Sequence, residues 1–157
     1  MKIMYVLVIM SILLPFSGCL TNKDTTEINS IKKLESINAP TPIGPYSQAV
    51  AAGDFVFVSG QIPIQKSGEL VTNDIEKATE VILDNIEAIL KEENLSLNDV
   101  VKCDIYLKDL DNFDKFNKVY EKKFTSDIKP ARVTTQVPRL PKNADIEISC
   151  IAYRSKK

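Results

Sequence analysis

The chain has 157 residues, 44% of them hydrophobic and 26% charged, with a formal net charge of -1. That suits one globular domain with a real core, and without a basic run it argues against a nucleic-acid surface. There is no histidine, which excludes Ser-His-Asp and Cys-His nucleophile pairs and removes the commonest zinc ligand.

Residues 1–18 carry one lysine, Lys2, at their start and continue as an apolar run from Ile3 to Phe16, ending in Ser17-Gly18 before Cys19. A charged start, an apolar middle and small residues describe a signal peptide, and the run is shorter than the roughly 20 residues that span a bilayer. Phe16-Ser17-Gly18-Cys19 also resembles a prokaryotic lipoprotein box, with Phe16 in place of the usual leucine. The expectation is a lipidated Cys19 and an extracytoplasmic, membrane-anchored protein. A secreted soluble protein is the alternative. Residues 19–30 are polar after Cys19-Leu20 and read as a tether, leaving residues 31–157 as the domain.

Within the domain, Ala39 to Val50 is a Pro/Gly-punctuated lead-in, and Phe55 to Val58 reads as a strand that stops at Ser59-Gly60. Ser67-Gly68 suits a turn. Ile75, Ala78, Ile82, Ile86 and Ile89 form one apolar helical face, with Asn73 and Glu76 as the expected cap and Asn94 as the stop. A strand follows in which Val101, Cys103, Ile105 and Leu107 share one parity. A second helix is expected from about Asp111, carrying Phe113, Phe116, Tyr120 and Phe124 on one face. Two strands near 131–137 and 145–153 end the domain, parted by a segment whose prolines cannot continue a ladder. The order predicts an α+β fold, with two helices packed on one face of a mixed sheet. If the other sheet face is apolar, self-association has to cover it. Cys103 and Cys150 fall on apolar parities and read as buried free thiols, a disulfide between them being the alternative.

Two charges interrupt the last strands. Alternation puts Arg132, Thr134 and Gln136 on one face, and Glu147, Ser149 and Ile151 on one face of the final strand. If the strands are neighbours, or meet across an interface, one pocket could hold both charges. An arginine fork grips a carboxylate through two parallel hydrogen bonds, and a nearby glutamate can act as general base toward water. A structural Arg132–Glu147 salt bridge fits the same spacing, and spacing does not choose between them.

The segments IGPYSQAV (43–50), VSGQIP (58–63), VVKCDIYLKDLDNFDKFNKVY (100–120), PARVTTQV (130–137) and LPKNADIEISCIA (140–152) resemble the RidA family of reactive-intermediate deaminases, also called YjgF. The resemblance covers roughly Ile31 to Tyr153. It implies a chorismate-mutase-like fold, a homotrimer with clefts between subunits, and no metal or organic cofactor. It also implies hydrolysis of enamines and imines such as 2-aminoacrylate and 2-iminobutanoate to 2-oxo acids and ammonia.

By the same resemblance Arg132 anchors the substrate carboxylate, Glu147 activates water, and Tyr46, Ser59, Gly60 and Asn117 line the pocket. Thr134 stands where the family often has cysteine, which leaves a backbone amide for the ligand but no thiol. Simpler roles remain open: Tyr46 packing its ring, Ser59-Gly60 ending a strand, Asn117 facing solvent. The chemistry suits a chain without histidine, because a 2-imino acid already has an electrophilic carbon and needs no covalent nucleophile. The export signal departs from a usually cytosolic family and separates the chain from the usual source of such substrates. A trimeric small-carboxylate binding module with little catalysis is the alternative function. Ribonuclease activity has little support, for want of a histidine pair and a basic stripe.

Overall fold

Six strands pair into one sheet: β1 (Ile31–Leu34), β2 (Ala49–Ala52), β3 (Phe55–Gln61), β4 (Val100–Leu107), β5 (Ala131–Gln136) and β6 (Ile146–Tyr153). Their order is β1-β2-β3-β6-β4-β5, antiparallel throughout except for the parallel pair β4–β5. Helices α1 (Ile75–Leu90) and α2 (Phe113–Lys123) complete the domain. This computed structural model describes residues 31–155. The expected signal peptide, Cys19 and the tether lie outside them. Among the described residues no helix is long and apolar enough to cross a membrane.

The expected α+β architecture is present, with both helices on one sheet face. The α1 residues Ile75, Ala78, Ile82, Ile86 and Ile89 are all buried, as are Phe116, Tyr120 and Phe124 of α2 and its end. They pack on Val56, Val58, Cys103, Ile105, Ile148 and Cys150, which alternate along three central strands. α1 runs on into a 3-10 turn, Lys91–Glu93, and Asn94 in a left-handed conformation stops the helical segment there, four residues past the end of α1 itself. The α1 cap lies one residue later than expected. Asp74 accepts from the Lys77 amide at 2.9 Å, while Asn73 takes φ 62 just ahead of the helix.

Three strand expectations need correction. Val101 is an extra residue in β4, because Val100 pairs with Ala152 and Lys102 with Ile151, so Val100 is buried and Val101 exposed. β3 does not stop at Ser59-Gly60 but passes through them as a bulge, with Val58 opposite Cys150 and Gln61 opposite Ile148. β1 and β2 are strands that sequence pattern did not reveal. Each has four residues, too few for alternation to stand out. The buried Gln48 side chain secures the loop between them, accepting from the Ser36 amide at 2.6 Å and donating to the Pro40 carbonyl at 2.9 Å.

The sheet face away from the helices is open. Phe55, Phe57, Tyr106, Val133 and Tyr153 lie on it, each at least 37% exposed. The Phe55 and Tyr153 rings are 5.2 Å apart, so part of this apolar surface is continuous. Such a surface on a small domain marks an interaction face.

Candidate active site

Arg132 sits on edge strand β5, opposite Cys103 of β4, which is itself opposite Cys150 of β6. Residues directly opposite across a ladder share a face, so Arg132 projects toward the helices. There α2 presents Phe113, Phe116 and Tyr120, whose ring centroids lie 5.6, 5.2 and 4.7 Å from the guanidinium carbon. Ring faces attract a cation without supplying a counter-charge. Among the described residues no carboxylate lies within salt-bridge distance of Arg132. The guanidinium is therefore held in place with its hydrogen-bonding fork uncommitted.

It borders a cleft of about 570 Å³, lined also by Phe113, Asn117, Tyr120, Glu121, Lys129 and Pro130. Asn117 thus lines the same cleft as Arg132. Thr134 lies two residues along β5 on the same face, half-buried, but outside the cleft lining. Beneath the cleft the buried Tyr120 hydroxyl lacks a well-formed hydrogen bond and lies beside the Cys103 thiol. Cys103 and Cys150 are free and buried, as expected. Burial pushes the Cys103 thiol up to about 11 and holds Cys150 well above the ordinary range.

Glu147 belongs to the other side of the sheet. It pairs with Tyr106 of β4, which pairs with Thr135 of β5, and all three face away from the helices. Its carboxylate lies over Gly60 in the β3 bulge, where a Cβ built on Gly60 would meet Glu147 Oε1 at 2.0 Å. The bulge is pinned by Ser59, whose hydroxyl donates to the Ser47 carbonyl at 2.7 Å and whose amide donates to Gln48 at 3.0 Å. Glu147, Ser59, Gly60 and Tyr46 line one cleft of about 230 Å³, walled by Ile43, Ile62 and Pro141. The Tyr46 hydroxyl accepts from the Ile43 amide at 3.2 Å. Among the described residues no side-chain cation pairs with Glu147. Burial raises its pKa above the ordinary carboxylate value.

The expected residues therefore form two half-sites, Arg132 with Asn117 and Glu147 with Tyr46, Ser59 and Gly60. The salt-bridge alternative fails, because β4 separates the two strands and the register turns the side chains to opposite faces. A site using both charges has to draw on two copies of the chain. The aromatic seat of Arg132 escaped sequence reading, since Phe113, Phe116 and Tyr120 also fit an ordinary helix core. A larger cleft, about 680 Å³, lies at the start of α1 among mixed charges including Lys108, Lys115 and Asp145. None of the expected site residues lines it. No group of three or more His, Cys, Asp or Glu side chains among the described residues could hold a metal ion.

Residues 36–154 match the family described as Endoribonuclease L-PSP. The chain belongs to this family, which includes the RidA, YjgF and RutC proteins. A RutC family protein of Pyrococcus horikoshii is 55% identical over 118 residues, covering 74% of this chain and 93% of the relative. The 2-iminobutanoate/2-iminopropanoate deaminase of Salmonella typhimurium is 40% identical over 125 residues, covering 78% and 98%. Among solved structures, the YjgF gene product of E. coli superposes with a TM-score of 0.75 at 40% identity, covering 79% of this chain and 99% of that one. E. coli TdcF with bound serine gives 0.74 at 38% identity, with coverage of 79% and 99%. The RidA-type fold thus carries the two half-sites on opposite faces of one sheet.

Proposed function

We propose that this RidA-family protein hydrolyses reactive enamines and imines of small 2-amino acids to 2-oxo acids and ammonia. Each active site would join the Arg132 half-site of one subunit to the Glu147 half-site of the next in a homotrimer. The observation that carries this reading is that two charges without counter-ions, Arg132 on an aromatic seat and Glu147 in an apolar cleft, lie on opposite faces of one sheet, where a second copy could bring them together. The exposed apolar sheet face supports the assembly, and the named deaminase relative supports the reaction.

Arg132 would hold the substrate carboxylate through two parallel charge-assisted hydrogen bonds, fixing the adjacent C=N carbon beside Glu147. Glu147 would take a proton from water as its oxygen bonds to that carbon. It would pass that proton to nitrogen, giving a carbinolamine. It would then carry the new hydroxyl's proton to nitrogen as the C–N bond breaks and C=O forms, releasing ammonia and leaving the 2-oxo acid. A carboxyl whose pKa moves toward working pH is suited to both transfers. Tyr46, Ile43, Ile62 and Pro141 would shield the reacting carbon. Thr134 would offer a backbone amide and no thiol. The residues present need no metal or organic cofactor for these steps.

The test is hydrolysis of freshly generated 2-iminobutanoate. Wild type should exceed the uncatalysed rate, and Glu147→Gln should abolish the excess. No excess with wild type would overturn the reading. The second reading is a small-carboxylate binding module, favoured by the relative with bound serine. It requires ligand binding by wild type and Glu147→Gln alike, with no hydrolysis by either.

The location proposed from Phe16-Ser17-Gly18-Cys19 is extracytoplasmic, with a lipid anchor at Cys19; a secreted soluble form is the alternative. Mass spectrometry of the mature protein would show a lipidated N-terminal Cys19. An unmodified Cys19, or cleavage elsewhere, overturns the anchor.

A further inference from the structure

We infer that Gly60 is a positioning residue for Glu147: the missing side chain is the space in which the carboxylate rests. This rests on the reading of Glu147 as the base. Gly60 does not have the left-handed φ that favours glycine, which among the described glycines is found at Gly53 and Gly68. Its requirement is therefore one of volume. A Cβ at position 60 would meet Oε1, Cδ and Cγ of Glu147 at 2.0, 2.9 and 3.2 Å. All three atoms belong to one side chain and none to backbone.

The strand at this point has little freedom. Ser59 is tied through its hydroxyl to Ser47 and through its amide to Gln48, and its carbonyl accepts from the Gln61 side chain at 3.1 Å. Glu147 has no comparable tie among the described residues. An alanine at 60 should accordingly be accommodated by rotation of Glu147 rather than by movement of the sheet. The fold would survive while the base left its place. Gly60 thus does more than line the pocket, because it selects where the carboxyl of a neighbouring strand stands.

The experiment compares full-chain wild type with Gly60→Ala. Gly60→Ala should keep the wild-type circular dichroism spectrum and lower kcat on 2-iminobutanoate on the order of 10²-fold, the loss typical of a misplaced group. KM should change little, since Arg132 still binds the carboxylate. Wild-type kcat in Gly60→Ala would overturn the inference. A carbon-detected NMR titration of Glu147, assigned with Glu147→Gln, serves even if wild type shows no hydrolysis. In Gly60→Ala the midpoint should fall toward the ordinary carboxylate range as the group leaves its cover; an unchanged midpoint overturns the inference. If Gly60→Ala does not fold, adding Glu147→Asp should restore folding by withdrawing the crowded atoms, and failure to do so overturns it too.

Discussion

Arg132 and Glu147 stand on strands separated by β4, and the register sends them to opposite faces of the sheet. Arg132 packs on the rings of α2, whereas Glu147 lies over the β3 bulge on the uncovered side. Each charge lacks a protein counter-ion among the described residues, so each half-site is electrostatically unfinished.

Complementation tests the composite site. Arg132→Ala and Glu147→Gln subunits should each be inactive, and refolding an equal mixture should restore activity. Random assortment in a closed cyclic trimer leaves about one quarter of the sites with both residues. Failure of the mixed trimers to regain activity would show that one subunit holds the whole site.

The seat of Arg132 should be measurable separately from its fork. Arg132→Lys loses the bidentate geometry and should lower kcat/KM by about 1.5–3 kcal/mol, roughly 10- to 150-fold. Phe113→Leu weakens one cation–ring contact worth about 0.5–1 kcal/mol, so KM should rise roughly two- to fivefold, with kcat nearly kept. Phe113→Tyr should restore KM. Steady-state kinetics on 2-iminobutanoate reads all three.

Glu147 should make stability depend on pH with a defined sign. Burial raises its folded-state pKa above the ordinary 4.5, so between those two values the native state holds more protons than the unfolded one. Stability should then fall as pH rises through that window. Glu147→Gln removes this loss. Measured in an Arg132→Ala background, where no neighbouring arginine offsets burial, the Gln variant should be the more stable at pH 7, the gap shrinking toward pH 4. Denaturant titrations at both pH values check it.

The buried thiols should be inert. With Cys103 pushed up to about 11 and Cys150 also raised, neither supplies thiolate at pH 8. Iodoacetamide should leave both unlabelled in the native protein and label both after unfolding, as read by peptide mass mapping.

Much of the fold was legible locally. The spacing of Ile75 through Ile89 and the aromatic stripe of α2 follow from helical period, and the parity of Ile146, Ile148 and Cys150 follows from strand period. Arg132 and Glu147 stood out because charges within apolar strands need a reason. Each was placed on a strand, and the family motifs supplied their expected roles. The cap of α1 went to Asp74 because only the backbone turn at Asn73 decides which side chain reaches the first free amides.

What the tertiary structure decided is the pairing. β6 inserts between β3 and β4, the bulge at Val101 resets the parity of β4, and the bulge at Ser59-Gly60 opens the place where Glu147 rests. A bulge depends on the partner strand as much as on its own residues, and a one-residue change of register moves a side chain to the other face. By itself the sequence singled out the two charges set within apolar strands and determined which periodic faces bury. Only the strand order and register determined that its two charges look away from each other, because a sheet's faces are shared by all its strands.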